Sequence, residues 1–198
     1  ELMLLFLSLA VQLTAALLVP LEAPPPLNNP VFALATVDAT GATNMNILTY
    51  ATPVGIGPRR WVISLFRKTE THGNFCRRRT GVLQLLRPCH AALVHTLGGS
   101  SARDVDKETA CRELGFEWAR FDGHDELLLP DCAAYYRLTL DGDVTNAGEH
   151  DVALCLLDGV FVPDADVGPA DAALDTRECR ALGLVSDAGR AIVPEATA

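Results

Sequence analysis

Two short runs of the chain carry side chains whose types and spacing suit them to hold a small anionic ligand. The first, Asn44-Met45-Asn46-Ile47-Leu48-Thr49-Tyr50, interleaves amides and hydroxyls with apolar residues. The second follows a strand-like stretch and places Ser64, Arg67, Lys68, Thr69 and Thr71 within eight residues. An edge of amides and hydroxyls can hydrogen-bond the rim of a flat heterocycle, while a loop of cations and hydroxyls can surround a phosphate. Arg forks across two oxygens and Lys acts as a point charge. The pair of runs therefore suits a planar heterocycle that carries a phosphate.

Period-2 alternation along the first run puts Asn44, Asn46, Leu48 and Tyr50 on one face and Met45, Ile47 and Thr49 on the other. Side chains from both faces cannot all reach one ligand, so the backbone of an edge segment must supply some of the contacts.

Elements that would position these runs can be read along the chain. Val31 to Val37 and Thr43 to Tyr50 flank Asp38-Ala39-Thr40-Gly41, which predicts a β-hairpin. Pro53 and Gly55-Ile56-Gly57-Pro58 read as a break before a third strand, Trp61 to Phe66, too apolar to be exposed on both faces. Between Gly73 and Gly98, Val82, Leu85, Leu86, Leu93, Val94 and Leu97 recur at helical spacing, and Pro88 divides them into two short helices. Asp104 to Leu114 predicts a helix closed by Gly115, and Glu126 to Pro130 a turn. Strand character returns at Ala133 to Leu140 and Asp151 to Leu157, and Asp171 to Leu184 reads as a final helix. Strands, inserted helices and strands again predict an α+β, mainly β domain centred on a barrel.

With 198 residues, 49% hydrophobic and 21% charged, the chain has the composition of one globular domain. The net charge of −9 argues against a nucleic-acid partner, because phosphate-backbone binding rests on Lys and Arg. Charge is nevertheless uneven. Eight of the 16 cations and a single acid, Glu70, lie between Arg59 and Arg87, so that segment carries +7 and the remainder −16. A local positive field on an acidic molecule suits a small phosphorylated ligand; Arg77 to Arg79 read equally well as a solvated helix face. The six cysteines stand singly, without Cys-x-x-Cys pairs or zinc-finger spacing, so no metal site is expected.

Leu2 to Val19 is nearly all apolar and runs into Pro20 and Pro24-Pro25-Pro26. Residues 1–29 thus read as a hydrophobic leader and proline-rich linker, of the kind that directs a chain to the secretory pathway or an organelle such as a plastid. A retained membrane helix is the competing reading. Glu1 in place of Met fits a chain whose more basic start lies upstream. Residues 30–165 form the expected domain body, and residues 166–198 a C-terminal helix and tail.

Thr43-Asn44-Met45-Asn46-Ile47-Leu48-Thr49-Tyr50-Ala51-Thr52-Pro53-Val54-Gly55 resembles the strand-and-turn signature of the flavin reductase-like, FMN-binding split-barrel family, which includes flavoredoxins. Thr69-x-Thr71-His72, Gly81-Val82-Leu83-Gln84-Leu85-Leu86, Leu97-Gly98-Gly99-Ser100 with Arg103-Asp104-Val105-Asp106-Lys107, Gly148-Glu149-His150-Asp151 and Arg180-Ala181-Leu182-Gly183-Leu184-Val185 continue the resemblance over roughly residues 30 to 195. Two departures are Ile47, where many relatives carry a hydroxyl, and Glu149, where Asp is more usual.

The resemblance implies a six-stranded split β-barrel, normally a homodimer, with FMN near the subunit interface and NADH or NADPH as electron donor. It implies Asn44, Asn46, Thr49 and Tyr50 beside the isoalloxazine and ribityl chain, and Ser64, Arg67, Lys68, Thr69 and Thr71 around the phosphate. It also implies His150 near the reacting ring, where a histidine could position a dinucleotide or pass a proton; the other reading has it fixing a turn. His72, His90, His95 and His124 are assigned to loop or helix surfaces, and Trp61 and Trp118 to packing.

Hydride transfer from nicotinamide to flavin N5 needs alignment rather than a protein acid or base. The chain accordingly shows no Gly-x-Ser-x-Gly elbow, clustered acid pair or Gly-x-Gly-x-x-Gly turn. An FMN-binding electron-transfer module without NAD(P)H activity is the alternative, and an interaction domain that has lost the cofactor is a third.

Overall fold

In a computed structural model, residue 18 and residues 20–163 and 173–192 are described. The apolar leader thus falls almost wholly outside the described residues, as do the boundary near residue 165 and the start of the C-terminal segment. Among the described residues no helix is long and apolar enough to cross a membrane.

The expected hairpin forms from β1 (Phe32–Val37) and β2 (Thr43–Leu48), paired from Phe32 opposite Leu48 to Val37 opposite Thr43. Its turn is built by Asp38, whose Oδ1 accepts from the Thr40 and Ala42 amides at 2.7 and 3.0 Å, with Gly41 at φ +94°. The predicted break after Tyr50 is instead a strand, β3 (Ala51–Ile56), paired with β4 (Arg59–Phe66) through a bulge between Pro53 and Gly55. Pro53 is tolerated because β3 lies at the end of the sheet, where a missing N–H breaks no ladder on its outer side.

Helix α1 (Glu70–Arg78) is capped by Thr69 and ends at Arg79 with φ 63°. The helix expected around Val82 and Leu85 is instead strand β5 (Thr80–Leu85). Its residues after Thr80 are buried without a break, because β5 lies between β1 and β8 (Ala134–Leu140) and is covered on both faces; burial of that kind erases the period-2 signal. A 3-10 turn at Pro88–Ala92 and a π turn at His95–Gly99 follow. Helix α2 (Lys107–Glu113), capped by Asp106, falls where a helix is expected. The predicted turn at Glu126 to Pro130 belongs partly to a small ribbon of β6 (Ala119–Arg120) and β7 (Leu127–Leu128). Strands β9 (Thr145–Ala147) and β10 (His150–Phe161) precede the C-terminal helix α3 (Thr176–Ala181).

Antiparallel pairing runs β2-β1-β5-β8-β10-β4-β3, with β9 added beside β10, so the main sheet has eight strands rather than six. Its two end strands, β2 and β3, are consecutive in the chain and separated by only Thr49 and Tyr50. The sheet must therefore roll until its opposite edges come within a two-residue link. No ladder joins them, and the barrel stays open along this seam.

Rolling creates two cores. Phe32, Leu34, Leu48, Ile63, Leu65, Phe75, Leu83, Leu138, Ala153 and Cys155 fill the inside of the roll. Ala33, Ala35, Met45 and Val82 face the other way, against Leu93, Leu97, Cys111, Leu174 and Cys179 from the turns and helices. Strand β1 divides its alternate residues between the two, which explains why all six are buried.

Candidate functional site

A cleft of about 710 Å³ opens at the seam where β2 passes into β3. Asn46 to Tyr50 form one wall, the ends of β4 and β10 contribute Ser64, Phe66 and His150, and Lys68, Thr69 and Thr71 come from the start of α1. The π turn supplies Gly98 to Ser101, and a C-terminal loop supplies Ala188 to Ala191. The volume lies in the range of cofactor sites.

The start of α1 is the natural anion-binding end. Thr69 Oγ1 accepts from the His72 amide at 3.2 Å and donates to Phe66 O at 2.8 Å, so this hydroxyl is fully used in capping the helix. The Glu70 and Thr71 amides have no acceptor within the helix and lie at its positive end. Thr71 Oγ1 accepts from Asn44 Nδ2 at 2.7 Å, and its own proton has no acceptor among the described residues. Lys68 is exposed and pairs with no acid among the described residues. One hydroxyl proton, two amides and one ammonium group are thus available at one end of the cleft.

The His150 ring lies 5.3 Å from the Phe66 ring and 6.0 Å from that of Tyr50, centroid to centroid. The Ser64 amide donates to Tyr50 O at 2.9 Å, which ties the two-residue link to β4. Asn46 Nδ2 donates to Ile47 O at 3.2 Å, and Asn46 Oδ1 faces Lys107 Nζ at 3.4 Å.

Of the residues named from the sequence, Asn46, Thr49, Tyr50, Ser64, Lys68, Thr69, Thr71 and His150 line this one cleft. Asn44 and Arg67 are not among the lining residues. Asn44 sits behind Thr71 and orients its hydroxyl, because the even-numbered face of β2 turns toward α1 at that point. Arg67 turns to Asp151, with Nε 3.6 Å from Oδ1.

Several residues take positions that their sequence context does not indicate. His72, expected on a surface, places Nε2 2.8 Å from Asp151 Oδ2 and so ties α1 to β10. His90, also expected on a surface, is 1% exposed. Its Nδ1 accepts from the Arg87 amide, its Nε2 donates to Pro130 O, and burial lowers its pKa. Lys107 is 5% exposed and donates to Met45 O at 3.0 Å and Leu97 O at 2.8 Å, clamping the π turn to β2. Burial lowers its pKa to about 8. In sequence Lys107 stands between Asp106 and Glu108 and looks like one charge of a solvated helix. Arg190 Nη2 and Glu149 Oε2 form an ion pair at 2.8 Å on the cleft lining. The run of small residues Gly98-Gly99-Ser100-Ser101 was the one local sign of a close backbone wall: a Cβ at Gly98 would lie 3.2 Å from that of Ile47 and 3.3 Å from that of Ala191.

The family model described as "Flavin reductase like domain" matches residues 26–182. Among solved structures, the chain is similar to an FMN-binding protein from Thermus thermophilus with bound 1-cyclohex-2-enone, at 22% identity and TM-score 0.60, over 90% of this chain and 85% of that one. It is also similar to a flavoredoxin from Methanosarcina acetivorans, at 12% identity and TM-score 0.66, over 81% and 86%. An NADH:FAD oxidoreductase from Streptomyces globisporus matches at 11% identity and TM-score 0.61, over 76% and 81%. At these identities the likeness is one of fold. No match was found among curated proteins.

Proposed function

The chain belongs to the flavin reductase-like domain family, and on that premise we propose that it binds FMN and acts as an NAD(P)H-dependent flavin reductase. The observation that carries this reading is the convergence, on one cleft, of the free donors at the start of α1 with the Asn46 to Tyr50 edge. The donor set fits a phosphate: Lys68, the Thr71 hydroxyl and the Glu70 and Thr71 amides all donate, and the helix dipole adds favourable potential. Asn46 and the backbone of Thr49 and Tyr50 would hold the ring and its ribityl chain.

When bound, FMN supplies the redox chemistry by accepting a hydride at N5 from a nicotinamide. The chain's own residues bind and align. Lys68 and Thr71 anchor one end of the ligand, and Lys107 stiffens the wall that carries Asn46. His150, whose ring is in contact with those of Tyr50 and Phe66, is the residue assigned to meet the nicotinamide in this reading. A homodimer completes the proposal, supported by the exposed apolar residues Val54 and Ile56 on the end strand β3.

The test is absorbance of the purified protein with added FMN, followed by NADH and NADPH oxidation measured against a flavin-only blank. Bound yellow flavin with turnover above the blank is expected. Bound flavin without extra turnover leaves the electron-transfer reading, and no bound flavin removes both.

A further inference from the structure

Asn46 is the one amide side chain on the lining of the cleft among the described residues, and both of its polar atoms already meet the protein. Oδ1 accepts from Lys107 Nζ at 3.4 Å, and Nδ2 donates to Ile47 O at 3.2 Å. We propose that Lys107 is a specificity-determining residue of this cleft: it fixes the Asn46 amide with its oxygen held by the ammonium group and one N–H left for the ligand, so the ligand edge at Asn46 must be a hydrogen-bond acceptor. This rests on the flavin reading of the cleft and deepens it by naming the polarity of the ring edge that Asn46 meets.

The two partners agree on one orientation. An ammonium group carries only protons and a backbone carbonyl only lone pairs, so a flipped Asn46 would set its NH2 against Nζ and its Oδ1 against Ile47 O. Both contacts would then be repulsive. In the observed orientation Nδ2 gives one proton to Ile47 O, and its second has no acceptor among the described residues.

Burial makes an ammonium group a costly choice for bracing alone. Lys107 is 5% exposed and does not itself line the cleft. No carboxylate pairs with it among the described residues: Asp106 accepts from Thr109, and Glu108 faces Arg112 at 3.6 Å. Its three protons meet Met45 O at 3.0 Å, Leu97 O at 2.8 Å and Asn46 Oδ1. A buried cation without a counter-ion is destabilising, and a neutral donor could join the two carbonyls at less cost. What the ammonium group adds is a partner that can only donate, which admits Oδ1 and excludes Nδ2. The wall it acts on is close-packed, since a Cβ at Gly98 would lie 3.2 Å from that of Ile47, so the backbone beside Asn46 has little room to shift.

A Lys107 that only braced the π turn would behave differently. Its loss would then add to the loss of Asn46, because the two would act on separate things. If Lys107 acts through the amide, its loss adds nothing once the amide is gone.

The experiment is calorimetric binding of riboflavin and FMN to the wild type, Asn46→Asp, Asn46→Ala, Lys107→Met and the double variant Asn46→Ala with Lys107→Met. Asn46→Asp keeps the shape but offers the ligand only an acceptor, and is expected to weaken both flavins about tenfold. Asn46→Ala and Lys107→Met should each weaken them about threefold, and the double variant no further. Wild-type affinity in Asn46→Asp, or losses that add in the double variant, would overturn the proposal. Should Lys107→Met fail to fold, the Asn46→Asp comparison decides. A second measurement uses the ligand-free protein: magnetic resonance should find the Asn46 side-chain amide protected from solvent exchange, with that protection lost in Lys107→Met. Protection that persists in Lys107→Met would also overturn the proposal. Lys107-dependent protection without any flavin binding would remove the flavin reading and keep the fixed amide. Flavin binding indifferent to Asn46→Asp would do the reverse, and neither flavin binding nor Lys107-dependent protection would remove both.

Discussion

Asn44 Nδ2 donates to Thr71 Oγ1 at 2.7 Å, across 27 residues and from a strand to the first turn of a helix. The bond occupies one acceptor site of the hydroxyl and leaves its proton without an acceptor among the described residues. It also makes the two residues one unit. Asn44→Ala and Thr71→Val should each weaken FMN binding severalfold, and the double variant should cost less than the sum of the singles. Thr71→Val should in addition destabilise the fold by about 1–3 kcal/mol, because it leaves a partly buried amide without its acceptor. Urea unfolding and calorimetry check both effects, and strictly additive losses would show that the two side chains act separately.

Lys107 leads to a prediction about stability at alkaline pH. Its pKa is lowered by burial from 10.5 to about 8, so between those values the unfolded chain binds the proton that the folded chain has lost. Stability from this group therefore rises with pH from about 8 to 10.5, by about 3 kcal/mol at most. In Lys107→Met this rise should vanish. The gap in unfolding free energy between variant and wild type, followed from pH 7 to 10, should move in favour of the wild type. A gap that stays constant would mean that Lys107 is not desolvated as described.

His90 contributes on the acid side. Burial lowers its pKa below 6.5, and both ring nitrogens are engaged by backbone groups of the Arg87 and Pro130 segments. The unfolded chain then takes up a proton near pH 6.5 that the folded chain resists, so this group's contribution to stability is lost as pH falls below 6.5. His90→Gln should be less stable at neutral pH yet show a shallower decline into acid. Parallel thermal-denaturation curves for the two proteins between pH 7 and 5 would contradict the assignment.

Val54 and Ile56 are 53% and 96% exposed on β3, an end strand with one unpaired edge. Exposed apolar residues on such an edge mark a surface fit to meet a second copy of the chain. Sedimentation should find the wild type dimeric and Val54→Glu with Ile56→Glu monomeric. A dimer that survives the double substitution would move the interface elsewhere, and a monomeric wild type would remove it.

The β1–β2 hairpin, strand β4, helix α2 and the polar runs that supply Asn46 to Tyr50 and Ser64 to Thr71 to the cleft were legible in the residues themselves, whereas His150 came only from the family resemblance. In each of these segments local chemistry and burial agree: Asp38 builds a turn, Asp106 caps a helix, and Ser64, Lys68 and Thr71 sit in the loop that leaves an apolar strand. Three features could not be read that way. Strand β5 is covered on both faces, so its run of apolar residues carries no period. Pro53 stands in a strand because that strand is at the end of the sheet, a fact of pairing order rather than of local preference. Lys107 is flanked by acids in sequence, yet is buried because three oxygens from β2 and the π turn converge on its ammonium group.

Residue types along the chain were enough to specify a mainly β domain, a run suited to hydrogen-bonding a flat ring and a run suited to phosphate. Tertiary structure alone decided that the sheet rolls until β2 and β3 meet through Thr49 and Tyr50, and so that the two runs share a cleft. It also decided that Asn44 stands behind Thr71, that Arg67 turns to Asp151, and that Arg190, forty-one residues beyond Glu149, completes the lining. The physical reason is that hydrogen-bonding capacity belongs to a side chain, whereas its partner is set by contacts between segments far apart in the chain, and only the folded sheet fixes those.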